Sequence, residues 1–284
     1  MGKERDLPIK ATIPGINEAK PLRHKIVMAL AHACIPRIHG KENLTEAVEL
    51  IKQGNPILAE GDHLSNADGP FFVMVMKMLY PEIGKDAVAI LGQRLKFNRF
   101  TRSLTGGITH IDVWPTTIKG ESEEIVKKRT EMNARSIEAA RLALENKRMV
   151  FVYPEGTRSR EGRLQEFQNA VANFALLAEN TYILPFGVAG TERVLSPNRW
   201  RIKHLVPKLS HIIPIPHKVD ISFGKPFAVN EAIEESWAGG KKRRAITSKA
   251  RQEVAALIPP SYGGTMVEMT RGKEYNIKGN EIQG

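Results

Sequence analysis

Cysteine is nearly absent. Cys34 is the one thiol in 284 residues, so no internal disulfide can form and no cysteine cage for a metal can exist. A reducing compartment is the expectation. Aromatic residues make up only 6%, and no zinc-finger, RNA-recognition or basic-zipper pattern is present, so nucleic acid is not the expected partner. Long hydrophobic runs are missing too. A membrane-spanning helix needs about 18 or more consecutive apolar residues, and the best candidates, Ile26 to Ile35 and Phe71 to Leu79, are too short and each contains a polar residue. The start of the chain, Met1 to Leu7, has no apolar stretch of the signal-peptide kind. Gly2 does not make a myristoylation site, because Asp6 stands where that motif needs Ser or Thr. These absences predict a cytoplasmic protein, either soluble or in peripheral, one-sided contact with the inner face of a membrane.

Several catalytic signatures are also lacking. There is no Gly-x-Ser-x-Gly elbow for a serine hydrolase. Neither Gly-x-Gly-x-x-Gly nor Gly-x4-Gly-Lys-Ser/Thr is present, which removes the common nucleotide-binding loops. His24, His32, His39, His204, His211 and His217 have no tight metal-ligand spacing. Cys34 is expected in an N-terminal helical segment that offers little to a thiol enzyme. No metal and no bound cofactor are expected.

Positive charge is in excess. Forty-two Lys and Arg against 31 Asp and Glu give a formal net charge of +11, which favours an anionic partner: a phosphate-bearing substrate, an acidic carrier protein or an anionic membrane. Hydrophobic residues reach 42%, enough for a sizeable core. Apolar runs suited to buried strands occur at 56–60, 86–92, 108–113, 149–153, 182–188 and 218–223. Helix-period segments occur at 21–33, 70–79, 121–146, 165–179 and 242–257. The longest helix sets Ile125, Met132, Ile137, Ala140 and Leu144 on its predicted apolar face. This alternation argues for an α/β fold with a mixed, partly parallel central sheet flanked by helices. Residues 1–37 read as an N-terminal tail and helix, 38–258 as the main domain and 259–284 as a C-terminal tail. The Pro-rich stretch Leu195–Pro216 reads as a long irregular excursion.

Two constellations carry chemistry. The first is His63-Leu64-Ser65-Asn66-Ala67-Asp68, just past a predicted strand. A neutral imidazole can take a proton from a hydroxyl, and a carboxylate can hold its tautomer and stabilise the imidazolium. Five residues do not put both side chains on one helix face, so the loop must turn back before the helix. Asp68 followed by Gly69-Pro70 also suits a helix N-cap, and that role alone would explain it. The second constellation begins about ninety residues later, where the strand Met149–Tyr153 ends at Pro154-Glu155-Gly156-Thr157-Arg158-Ser159-Arg160. Gly156 permits a tight turn and a close ligand approach. Arg158 and Arg160 suit bidentate phosphate recognition, Thr157 and Ser159 add hydroxyls, and Glu155 can orient an arginine or bind a substrate hydroxyl. A solvated turn with an internal Glu–Arg pair is the plainer alternative.

In this order and spacing the two blocks resemble the glycerolipid acyltransferase superfamily, which includes 1-acylglycerol-3-phosphate and glycerol-3-phosphate acyltransferases. His63 and Asp68 match its His-x4-Asp block. Tyr153 to Ser159 match its Phe-Pro-Glu-Gly-Thr-Arg-Ser block, with Tyr for Phe. Gly107 to Asp112 resembles the second block, with His110 for Phe and Val113 where the family has an arginine; His110, Arg99 or Arg102 could stand in. Ile183-Leu184-Pro185 resembles the fourth block, His39 to Leu44 the lead-in and Phe223 to Phe227 the last core strand, so the likeness covers about residues 38–230. Asn133 to Ile137 resembles a segment of the plastid-type glycerol-3-phosphate enzymes.

The resemblance implies direct acyl transfer from acyl-CoA or acyl-carrier protein to a glycerol-phosphate acceptor. His63 would be the general base, oriented by Asp68, and Glu155, Gly156, Thr157, Arg158 and Arg160 would lie at the acceptor's phosphate. Phe71, Phe72, Met74, Met76 and Met78 are either core or the wall of an acyl tunnel. The helix from Pro21 to Ala33 either lies on a membrane or packs on the domain. Lys241 to Arg244 either grip a carrier protein or lipid headgroups or form a solvated helix start. A basic lipid-surface or carrier-binding module without turnover, and a thioester hydrolase, are the rival readings.

Overall fold

Strands in this chain are apolar on both sides, and the helices between them carry one apolar stripe each. Such elements bury themselves best as a sheet covered by helices on both faces. The computed structural model has this arrangement. It describes residues 13–93, 105–114, 122–159, 161–194, 216–266 and 273–274. Arg99, Arg102, Arg160 and nearly all of the excursion after Leu195 lie outside the described residues.

The strands are β1 (Cys34–His39), β2 (Ile57–Gly61), β3 (Val88–Gly92), β4 (His110–Val113), β5 (Val150–Val152), β6 (Tyr182–Ala189), β7 (His217–Phe223), β8 (Phe227–Ala228) and β9 (Lys273–Glu274). Among the described residues they form one sheet in the order β4-β3-β5-β2-β6-β7-β1-β9, with β8 also paired to β6. The run from β4 to β6 is wholly parallel. β6 and β7 are antiparallel, and β7 pairs with β1 in parallel. The sheet is therefore mixed and mostly parallel. Among the described residues five helices of more than one turn accompany it: α1 (Pro21–Ala31), α2 (Lys41–Gln53), α3 (Asp68–Leu79), α4 (Glu123–Glu145) and α5 (Gly239–Ala255).

The two faces hold separate cores, and the side chains of each strand alternate between them. Ile57 and Ala59 of β2, Phe151 of β5 and Leu184 and Phe186 of β6 join one cluster with α1, α2 and α3. Leu58, Val150, Val152 and Ile183 join the other with α4 and α5. Phe72 of α3 centres the first cluster, with ring centroids 4.7 Å from both Phe151 and Phe186. It is fully buried, and such burial contributes about 1.5–3 kcal/mol per aromatic side chain. Phe71, Met74 and Met76 are buried in the same cluster, which is the core alternative for this helix. Among the described residues no helix is long and apolar enough to cross a membrane.

Some expected elements differ. The predicted helix at 165–179 shrinks to one turn, Ala172–Ala175. The reason lies in the backbone: Leu164 N–H donates to Tyr262 O and Gln168 N–H to Pro154 O, so these amides serve other segments. α2 was not expected, although Leu44, Ala47, Val48 and Ile51 carry its buried face and Gly54 closes it in the left-handed region at φ 102°. The face of α4 is rotated from the predicted one. Ile125 and Ile137 are exposed, while Ser136, Ala139, Ala140, Ala143 and Leu144 pack inward, because small residues let the helix approach the sheet closely. α1 packs through Val27 and Ala31 but leaves Leu22 73% and Ile26 50% exposed.

Candidate active site

Parallel strands gather their carboxyl ends at one sheet edge, where ligands of open α/β folds bind. Here β2 delivers His63, β5 delivers Tyr153 to Ser159, and β6 delivers Thr191, the first residue of a one-turn helix, Thr191–Val194. The edge is thus built from segments that are neighbours in the sheet but far apart in sequence.

The loop after β2 turns back as its chemistry requires. His63 Nδ1–H donates to Asp68 Oδ2 at 2.8 Å. The same oxygen accepts the backbone amides of Leu64 at 2.7 Å and Ser65 at 2.8 Å. Asp68 is fully buried, and these bonds replace its hydration. Asp68 is not the N-cap. α3 begins at Asp68 itself, Ala67 holds the cap position, and the carboxylate points back over the loop. With Nδ1 committed, the His63 side chain, 16% exposed, presents Nε2; that atom has no hydrogen-bond partner among the described residues. Tyr153 stacks on the imidazole with centroids 4.4 Å apart and planes 15° apart, which sets the ring plane.

The turn after β5 is fastened to the His63 backbone at two points. His63 N–H donates to Glu155 Oε1 at 2.8 Å, and Ser159 N–H donates to His63 O at 2.8 Å. Gly156, Thr157 and Arg158 bridge these two ties and are all exposed. Gly156 has φ 70°, and a Cβ there would lie 2.2 Å from Gln168 Nε2, which itself donates to Glu155 O at 3.0 Å. Beyond the turn opens a cleft of 520 Å³ lined by Thr157, Arg158, Ser159, Glu161, Arg163, Leu164 and Gln165. Thr157 and Arg158 therefore border a space that a phosphate could enter, and Arg163 adds a second described guanidinium there. Arg160 lies outside the described residues.

Glu155 corrects the sequence expectation. It is buried, and one oxygen holds the His63 amide, so it is a fastening between loops rather than a contact for phosphate. Burial pushes its carboxyl up to about 7. Asp62 is similar: Oδ1 accepts the Val188 amide at 2.7 Å, and burial, with Asp68 nearby, raises its pKa well above the carboxylate range. Asp62 Oδ2, Glu155 Oε2 and Tyr153 Oη are buried with no hydrogen-bond partner among the described residues. Burial also raises the Tyr153 phenol. His110 does not replace the arginine missing at Val113. It is buried in β4, with Nδ1 donating to Ile108 O at 2.8 Å, and Arg99 and Arg102 lie outside the described residues.

Thr191 escaped the sequence reading altogether. Its hydroxyl donates to Asp68 Oδ1 at 2.5 Å across 123 residues of sequence. Its turn is held in place by Gly190 N–H donating to Glu192 Oε2 at 3.1 Å and by Tyr262 Oη–H donating to Glu192 Oε1 at 2.9 Å. Nothing in the local sequence around Thr191 marks it; the signal is the strand β6 that ends two residues before it.

A histidine–carboxylate pair with an open Nε2, at the carboxyl edge of a mostly parallel sheet, is an arrangement able to take a proton from a hydroxyl. A family model described as Acyltransferase matches residues 35–189, a span that ends just before Thr191 and its turn. The chain belongs to this acyltransferase family, the glycerolipid acyltransferase superfamily that its blocks resemble. The solved structure of the 1-acyl-sn-glycerophosphate (LPA) acyltransferase PlsC from Thermotoga maritima is similar at 17% identity, with 83% of this chain and 81% of that chain covered and a TM-score of 0.44. Comparison with curated protein sequences finds no match.

Proposed function

We propose that this chain transfers a fatty acyl group from acyl-CoA or acyl-carrier protein to a hydroxyl of a glycerol-phosphate acceptor, lysophosphatidate or glycerol-3-phosphate, in phospholipid biosynthesis. The observation that carries this reading is the His63–Asp68 pair, with the His63 backbone hydrogen-bonded to both ends of the turn that carries Thr157 and Arg158. His63 Nε2 takes the hydroxyl proton as the acceptor oxygen attacks the thioester carbonyl. The tetrahedral intermediate then expels the thiolate, which receives that proton from the imidazolium, so an ester and a free thiol result without a metal. Asp68 holds Nδ1–H in place throughout and stabilises the cation. Arg158, with Arg160, binds the acceptor phosphate and so fixes the hydroxyl against His63, an orientation effect worth several kcal/mol of barrier.

The exposed Leu22 and Ile26 on α1, one turn apart and beside exposed Lys20 and Lys25, support one-sided contact with an anionic membrane. That contact would bring an amphiphilic acceptor or acyl chain to the edge of the sheet.

A thioester-cleavage assay with and without acceptor tests the reading. Free thiol should appear only with acceptor, and comparing glycerol-3-phosphate with lysophosphatidate identifies which is used. His63→Ala should lower turnover by about 10²–10⁴-fold. Thiol release without acceptor would make the protein a hydrolase, no release at all would make it a binding module, and full activity in His63→Ala would sink the mechanism.

A further inference from the structure

The Asp68 carboxylate is served unequally. Oδ2 carries three donors, the His63 imidazole and the amides of Leu64 and Ser65. Oδ1 accepts one among the described residues, from the Thr191 hydroxyl. A carboxylate accepts and cannot donate when ionised, so the hydroxyl must be the donor here. The torsion that sets a carboxylate plane is soft and roughly two-fold. Three donors on one oxygen leave that plane free to tilt, and a fourth on the other oxygen pins it. Thr191 and Asp68 are both fully buried, so water is poorly placed to take over the bond.

The anchoring of Thr191 is itself built. Gly190 lies in the left-handed region at φ 102°, Glu192 accepts the Gly190 amide, and Tyr262 grips the other oxygen of Glu192. Tyr262, 70 residues further along the chain, thus helps set the turn that holds Asp68.

We propose that Thr191 is a positioning residue: its hydroxyl fixes the plane of the Asp68 carboxylate and, through it, the orientation and tautomer of His63. The catalytic constellation is then a line of three side chains, His63–Asp68–Thr191, drawn from the ends of β2 and β6. The proposal rests on the reading of His63 as the general base.

Two variants and one spectroscopic signal test it. Thr191→Val removes the hydroxyl while keeping a branched side chain. It should lower kcat by about 10–100-fold, the scale of losing an orienting partner behind a functional histidine, with the KM for acceptor changed less than about three-fold, since uniform binding is untouched. Thr191→Ser should recover most of the loss. In an Asp68→Asn background the Thr191→Val substitution should cost little more, because the carboxylate it orients is gone. Normal kcat in a folded Thr191→Val, equal losses in the Ser and Val variants, or undiminished loss on top of Asp68→Asn would each overturn the proposal. The downfield proton resonance of His63 Nδ1–H, assigned by its disappearance in His63→Ala, gives a readout independent of substrate. It should shift in Thr191→Val and return in Thr191→Ser. If Thr191→Val does not fold, an unchanged resonance and kcat in Thr191→Ala would overturn the proposal in its place. If the wild-type protein transfers no acyl group yet the resonance responds as described, the functional reading fails while the coupling stands. If transfer occurs and the resonance does not respond, the coupling fails while the function stands.

Discussion

Arg158 stands at the exposed middle of a turn whose two ends are hydrogen-bonded to the His63 backbone. Any anion it holds is therefore held at a fixed offset from the imidazole. Arg158→Ala should raise the KM for a phosphate-bearing acceptor by about 10–100-fold, the scale of one hydrogen bond to a charged group, while kcat falls less. Arg158→Lys should restore only part of the affinity, because a point charge replaces a planar fork. Steady-state kinetics over a range of acceptor concentration reads both, and an unchanged KM would remove Arg158 from the phosphate site. At this scale the sequence was legible where chemistry is local: His63 and Asp68 are five residues apart and meet at 2.8 Å. Thr191 was not legible, since its partner is 123 residues away and no spacing rule spans a sheet. Glu155 was visible as a residue but not in its role, because only the fold reveals that its carboxyl faces a backbone amide rather than solvent.

The turn from Tyr153 to Ser159 is the element on which the site depends most, and Gly156 is its weak point. An alanine there pays about 1–2 kcal/mol for the left-handed backbone, and its Cβ would sit 2.2 Å from Gln168 Nε2. The amide of Gln168 would have to leave Glu155 O, loosening both ties to His63. Gly156→Ala should therefore lower the melting temperature by a few degrees and reduce kcat/KM by at least about 10-fold. Adding Gln168→Ala should give back part of the stability but not the turn's conformation. A Gly156→Ala protein with wild-type kinetics would show that the turn tolerates distortion. Strands were the elements best read from sequence, since each is a short apolar run closed by a turn, and six of them fall where expected. Helices were read less well. The segment at 165–179 has helical periodicity, but the Gln168 amide is claimed by Pro154, and the Leu164 amide just before the segment by Tyr262. On α4 the large residues Ile125 and Ile137 drew the predicted face, whereas alanines form the real one.

Across the whole molecule, buried carboxyls tie stability to pH. Glu60, in the middle strand β2, is fully buried, with Oε1 lacking a hydrogen-bond partner among the described residues, and burial pushes its pKa up to about 8. An unfolded chain releases that proton near 4.5. Between these values the native state binds more protons than the unfolded one, so stability falls as pH rises. Glu155 acts with the same sign between 4.5 and about 7, and Asp62 is shifted in the same direction. For Asp220, burial is outweighed by bonds from His39 and Arg37, which hold it below the carboxylate range; its opposite effect is confined to pH below 3.8. Thermal melts should show a melting temperature that declines from about pH 5 to about pH 8. Glu60→Gln should flatten part of that decline, and a melting temperature that rises over this range would contradict the assignment.

The sheet order also says when the site can exist. β2, which carries His63, lies between β5 and β6, and both are made long after it. As the chain leaves the ribosome at about 5–20 residues per second, His63 and Asp68 emerge early but lack Tyr153 beneath the ring and Glu155 at the backbone. Asp68 then waits for residue 191, on the order of ten seconds further on at these speeds. No nascent fragment ending before that point has the full set of partners, so the site is assembled only in chains that already hold β2, β5 and β6.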